Sequence, residues 1–429
     1  MNKRLFKLLP LLGTCVLAGC SSYTFNYVVP PYPGELPIDV DESDGLEDSG
    51  SYSIKIWCDQ RIEDLTSTQV SSWVAAQGGK YKIDLKIDIM SEDSAATTML
   101  EGVDVGADIF VFAQDQLAQL KTANALAPIK DDFLTTLQET TDPDGIKAAT
   151  IGDNVYAFPF TSDNGYFLYY DKTALNEDEV KNMATIVAKA KALNKKISYS
   201  VLTNGFYTAS YFMGAGCKSE WTLNSKNKFS DCVDTINSDK GIIAAKGIRD
   251  LQKDADVFIG DNKFSQLGTK AIAAVSGIWN YTYGVEQLGD NLGCCELPSY
   301  TVDGKDYHIS SFKGYKLLGV KRSSDKLKTS VCMRIARFLT SEACQKERFE
   351  SVSWAPTNLK DMELPEVLNH KGLKALRDQN VYAQDQKPCP SNWFSQVSFI
   401  ASAITKDTTD QEIQGILDNY TNNLDELKG

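Results

Sequence analysis

Between Ser53 and Ala113 the apolar residues switch spacing repeatedly, and that alternation constrains the fold more than any other feature. Ser53-Ile54-Lys55-Ile56-Trp57 reads as a strand that ends in a polar loop, Asp59-Gln60-Arg61. Ile62, Leu65, Val70, Trp73 and Val74 then fall along one broad helical face, and Gly78-Gly79 stops the helix. Ile83, Leu85, Ile87 and Ile89 alternate with Lys82, Asp84, Lys86 and Asp88, the period of a half-buried strand. A short helix near 93–102 leads to Asp108-Ile109-Phe110-Val111-Phe112-Ala113, a continuous apolar run typical of a buried parallel strand. Strands and helices in this order predict an α/β sheet. Ligands of such sheets meet the loops beyond the carboxyl ends of the strands, here Asp59-Gln60-Arg61 and Gln114-Asp115-Gln116. Further on, Tyr166–Tyr170 reads as an aromatic strand. Val331, Ile335, Phe338 and Leu339 mark one helix, and Ile413, Ile416, Leu417, Tyr420 and Leu424 another.

The chain has 429 residues, 42% of them apolar and 24% charged, which is enough for two or more domains or lobes and excludes a wholly disordered chain. Its net charge is −13. Without Lys3, Arg4 and Lys7 the basic residues fall to 41 against 57 acids, a balance of −16. That leaves no basic footprint for nucleic acid. The two histidines, His308 and His370, are too far apart for a helical zinc motif, and no metal or other cofactor is expected.

Lys3, Arg4 and Lys7 precede a short apolar stretch interrupted by Pro10, the pattern of a signal peptide rather than a membrane span. It ends in Leu17-Ala18-Gly19-Cys20, which resembles a bacterial lipobox. The resemblance implies removal of residues 1–19, lipidation of the Cys20 sulfur, and anchoring at the extracytoplasmic face of the cell membrane. Residues 20–51 then read as the lipidated cysteine and a disordered acidic tether. Pro30, Pro31, Pro33 and Pro37, with seven acids from Glu35 to Asp48, keep that segment from burying enough apolar surface to fold.

Eight cysteines remain beyond Cys20, and no C-x-x-C pair occurs among them. Cys217 and Cys232 flank a polar segment with Asn224-Ser225 at its midpoint, so a hairpin turning there is expected to bring them into a disulfide. The others read as small buried apolar residues.

The order of several further segments resembles the substrate-binding lipoproteins of ABC importers, the extracellular family that includes maltose- and maltodextrin-binding proteins. These segments are Ala107–Asp115, Ala125-Leu126-Ala127-Pro128-Ile129, Val155–Phe160 and Tyr169-Tyr170-Asp171-Lys172. Ser276-Gly277-Ile278-Trp279, Phe312–Val320 and Ala355-Pro356-Thr357-Asn358 follow in turn. The resemblance spans about 52 to 425. It implies two α/β lobes of the periplasmic-binding-protein kind, with an interlobe cleft and chain crossings near Thr161–Gly165, Phe312–Leu318 and Glu363–His370. Lobe one would be 52–161 plus 318–363, and lobe two 165–312 plus 370–429. It further implies a monomeric binding protein, not an enzyme, that hands an oligosaccharide, maltodextrin-like above all, to a membrane permease with its ATPase. No phosphate loop occurs for the chain to power transport itself.

By the same resemblance, Trp279 matches a stacking tryptophan, and its polar neighbours Asn280 and Tyr281 suit a cleft. Phe112 stands where the family's maltose binders carry a stacking tryptophan. Asp115 matches a sugar-binding aspartate, although Gln116 replaces the arginine that follows it there. Asp163 aligns with an acidic cleft residue, and Phe206 with a stacking tyrosine. Trp393 and Phe394 compete with Phe399 for one aromatic position. Asp59 is a further candidate. Each has a plainer reading: core for the aromatics, a helix cap or a turn for the acids. The alternative ligand is a polyamine or other organic cation, and after it comes a secreted glycoside-active enzyme. A penicillin-binding reading of Ser310-Ser311-Phe312-Lys313 and Ser162-Asp163-Asn164 fails, because the two motifs stand in the wrong order.

Overall fold

The structure, a computed structural model, describes residues 49–225, 228–390 and 392–428. The expected signal peptide, Cys20 and nearly all of the tether lie outside the described residues. Two five-stranded sheets organise the chain. The strands of the first are β1 (Gly50–Cys58), β2 (Tyr81–Ile89), β3 (Ile109–Ala113) and β4 (Ala157–Thr161), joined by β10 (Lys316–Val320). The second holds β5 (Phe167–Asp171), β6 (Lys196–Ser198), β7 (Phe258–Ile259), β8 (Ala271–Ser276) and β9 (Leu292–Cys295). The spatial orders are β2-β1-β3-β10-β4 and β7-β6-β8-β5-β9. The first strand begins at Gly50, two residues before the folded body was expected to start.

Local sequence explains these elements. Every residue of β3 is buried because the strand is central, and its unbroken apolar run supplies both faces. In α1 (Glu63–Ala76) Val70 and Trp73 are buried, and the Trp73 ring stacks on Tyr81 of β2 at 5.1 Å. Gly78 and Gly79 follow with φ of 59° and 88°, a left-handed path that other residues rarely take. In β5 the side chains alternate: Phe167 and Tyr169 join the first core, while Leu168 and Tyr170 join the second.

The chain passes from the first sheet to the second between β4 and β5. It returns ahead of β10, which lies antiparallel between β3 and β4. After α6 (Lys326–Leu339) and α7 (Glu342–Val352) it crosses again to α8 (Lys371–Asn380), which packs on β9 and β5. Helices α9 (Trp393–Ala403) and α10 (Asp410–Leu424) then join α3 (Gly205–Gly214) and α4 (Asp239–Gln252) around the second core. Of the remaining helices, α2 (Glu92–Glu101) packs on β3 and α5 (Tyr281–Leu288) on β9. The Thr409–Glu412 capping box starts α10.

The expected disulfide is corrected by the hairpin itself. Ser219–Leu223 and Phe229–Asp234 do pair antiparallel, but the register sets Cys232 opposite Trp221. Cys217 precedes the hairpin and donates its N–H to the Phe212 carbonyl. Both are free thiols, as are the other six described cysteines. Burial pushes Cys217 up to about 12 and Cys232 up to about 11, so both stay protonated at neutral pH.

Candidate functional site

The carboxyl ends of β1, β3 and β4 and the first residue of β10 meet at one edge of the first sheet, and the carboxyl end of β8 faces them. After β1 the Asp59 carboxylate accepts from the Arg61 backbone N–H at 2.8 Å. It holds the guanidinium through Nε at 2.7 Å and Nη2 at 2.5 Å. Burial pushes the Asp59 carboxyl up, but the Arg61 bonds outweigh burial and hold it below its ordinary value. The remaining guanidinium nitrogen, Nη1, donates to the Trp279 carbonyl at 2.5 Å. One arginine thus links the loop after β1 to the loop after β8.

Trp279 is half-buried in a short turn, Ile278–Asn280. Its ring lies on Gly277, where an added Cβ would fall 2.0 Å from the indole. Asn280 donates to the Ser276 hydroxyl at 2.9 Å and braces the turn. Tyr281 is half-buried against His370, ring centres 4.2 Å apart.

Lys316 pairs in register with Ala113 and Thr161, which brings its side chain to the same edge. That side chain is 4% exposed and its ammonium lies 2.7 Å from Glu92 Oε1. The ammonium also lies over Trp354 at 4.2 Å and over Trp279 at 5.2 Å from the ring centres. The Arg61 guanidinium lies over Trp354 at 5.3 Å. Ser353, at φ 62°, ends α7 in the left-handed conformation, and the buried Trp354 follows directly; its Nε1 finds no hydrogen-bond partner among the described residues.

The other acids are committed to protein partners. Asp163 is buried, accepting from Thr161 Oγ1 and from the Ala355 N–H, each at 2.7 Å. Burial raises its pKa, and the Lys316 charge opposes that rise. Asp115 is buried too and accepts from Gln386 Nε2 at 2.9 Å. Gln386 accepts in turn from Asn164 Nδ2 at 2.6 Å, and its carbonyl accepts from Gln114 Nε2 at 2.6 Å. Burial pushes Asp115 up to about 7.

Two aromatic candidates are corrected. Phe112 is 0% exposed and packs beside Phe110 inside the first core, because β3 is covered on both faces. Trp393 is 3% exposed and spends its indole N–H on Tyr420, whose hydroxyl donates to Asp234. Its neighbour Phe394 is half-buried, edge-on to Phe206 at 5.8 Å. Phe206 stacks on Phe312 at 5.1 Å beside the crossing segments. The sequence reading singled out neither Lys316 nor Trp354 nor Gln386; Trp354 stands directly before a quoted segment, the one signal that could have found it.

Two surface cavities, of about 280 Å³ beside Tyr199 and Phe258 and about 330 Å³ beside Lys313 and Lys387, are lined by none of Asp59, Arg61, Trp279, Lys316 and Trp354. No group of three or more His, Cys, Asp or Glu among the described residues is arranged to hold a metal. No helix among them is long and apolar enough to cross a membrane.

The model of a family described as bacterial extracellular solute-binding protein matches residues 73–375. The chain belongs to that family. Its members are binding proteins rather than enzymes. This solute-binding protein is 21% identical over 329 residues to the maltotriose-binding protein of Pyrococcus abyssi, covering 73% of this chain and 69% of the relative. The maltodextrin binding protein MalE1 from L. casei BL23, solved without ligand, is 20% identical. It covers 89% of this chain and 100% of its own, with a TM-score of 0.69. A maltose/maltodextrin-binding domain from Bdellovibrio bacteriovorus bound to maltotriose is 15% identical, covers 87% and 100%, and has a TM-score of 0.70. The architecture is the two-lobe periplasmic-binding-protein fold that the sequence resemblance implied.

Proposed function

We propose that this solute-binding protein captures an oligosaccharide, of the maltodextrin kind, between two lobes and delivers it to an ABC permease powered by a separate ATPase. The lobes are 52–161 plus 318–363 and 165–312 plus 370–429, each built on one of the two sheets. Cys20 carries the lipid that holds the monomer at the extracytoplasmic membrane surface. The observation that carries this reading is Trp279, a half-buried indole at the carboxyl end of β8, braced by Gly277 and joined across the junction to Arg61 and Asp59. An indole face suits the apolar face of a pyranose ring, and the paired Arg61 and Asp59 offer donors and acceptors to its hydroxyls. Tyr281 and Phe206 flank the site, while Asp115 and Asp163 set its walls through Gln386 and Thr161. Relatives named for maltotriose and maltodextrin support the sugar class.

A thermal-shift panel of malto-oligosaccharides, other oligosaccharides and polyamines tests the reading. A ligand that binds only the folded chain raises its melting temperature. Maltotriose or a longer malto-oligosaccharide is expected to give the largest rise. A rise with polyamines alone would overturn the ligand class.

A further inference from the structure

A protein holds an organic cation by placing the ammonium over aromatic faces with a carboxylate beside it. That arrangement is already complete at the junction: the Trp354 face at 4.2 Å, the Trp279 face at 5.2 Å, and the Glu92 carboxylate at 2.7 Å. The cation that fills it belongs to the chain itself, Lys316. Arg61 lies over Trp354 as well and is tethered by Asp59 and the Trp279 carbonyl.

We propose that Lys316 is a specificity-determining residue, a resident cation that fills an ammonium site and so closes the cleft to polyamines and other organic amines. The inference rests on the reading of this junction as the ligand cleft. The pairing of charges supports it. Asp59 is paired with Arg61 and Glu92 with Lys316, while the buried Asp163 faces both Lys316 and Arg348. Taking Lys316 away leaves Glu92 without its paired cation beside two indole faces, an environment that attracts amines. With Lys316 in place, an incoming amine must displace a tethered competitor, whereas a neutral sugar does not compete for the ammonium position beside Glu92.

Chemical rescue tests this on the full chain. Lys316→Ala removes the atoms from Cγ to Nζ, which n-propylammonium replaces one for one. Millimolar n-propylammonium is expected to raise the melting temperature of Lys316→Ala and leave that of the wild type unmoved, with n-propanol as a neutral control without effect. Spermidine is expected to bind Lys316→Ala at least about tenfold more tightly than it binds the wild type. Equal responses of both proteins to n-propylammonium, or spermidine binding to the wild type as tight as to the variant, would overturn the proposal. If Lys316→Ala does not fold, Lys316→Met keeps most of the stem and is titrated with spermidine: a gain supports the proposal and no gain overturns it. A wild type that binds no oligosaccharide, with the amine responses as expected, overturns the sugar reading and leaves the role of Lys316 standing.

Discussion

Asp115 shows what a single carboxyl does in this junction. Burial pushes it up to about 7, its own backbone N–H and Gln386 oppose the shift, and nearby Asp93 adds to it. Its ordinary value is near 4, so between about 4 and 7 the folded chain keeps a proton that the unfolded chain releases. The associated stabilisation is complete below about 4 and is lost as the pH rises through about 7. Asp115→Asn, which keeps an acceptor for Gln386, is expected to match the wild type in denaturant melts near about pH 4. Near about pH 8 it should exceed the wild type by about 2–4 kcal/mol. A variant that is less stable at both values would show that the carboxylate is held ionised. The same residue marks where sequence reading stops. Its position in the loop after β3 was legible, because a continuous apolar run ended just before it. Its partner Gln386 lies 271 positions away and carries no local signal. Lys316 was hidden likewise: in a row of residues a lysine reads as surface, and only the register with Ala113 and Thr161 shows that it is buried.

At the scale of elements, the turn after β8 presents its indole through a close approach. An alanine Cβ at 277 would lie 2.0 Å from the Trp279 ring, so the ring has to leave its place. Gly277→Ala is therefore expected to weaken oligosaccharide binding by at least about tenfold while shifting the unfolding free energy by about 1–3 kcal/mol. Paired calorimetry and denaturant titration check it; undiminished affinity would show that the ring position is unimportant. A contrasting approach lies at the start of α3, where a Cβ on Gly205 would fall 1.8 Å from the Phe394 carbonyl oxygen in α9. Backbone cannot rotate aside as a side chain does, so Gly205→Ala should cost more stability than Gly277→Ala in the same titration. Regular elements were the most legible part of this chain. The strands β1 and β2 and helices α1, α6 and α10 follow from the period of their apolar residues, and β3 from an unbroken apolar run, since each has one or two faces to bury. The aromatic positions were less so. The unbroken run around Phe112 already indicated a strand covered on both sides. Trp393, Phe394 and Phe399 share one helix, where Trp393 is buried, Phe394 half-buried and Phe399 exposed, so an uncertainty of several residues exchanged core for surface.

Across the whole molecule, two sheets joined by three passages of chain bring residues from 59 to 386 to one junction, and Arg61 ties the two sides by donating to Trp279. The anchor belongs to this scale as well. Cys20→Ala is expected to move the protein from the detergent phase to the aqueous phase in phase partitioning, and unchanged partitioning would contradict lipidation. The central claim is that the junction holds an oligosaccharide on Trp279. It is tested most directly by calorimetric titration of the wild type and of Trp279→Ala with maltotriose, alongside thermal melts of both. Loss of an aromatic anchor of this kind costs about 2–4 kcal/mol of binding. Saturable binding by the wild type, weakened at least about tenfold in a variant that melts nearly as before, is the predicted result. Equal affinity in the two folded proteins, or no binding of maltotriose by the wild type, would contradict it.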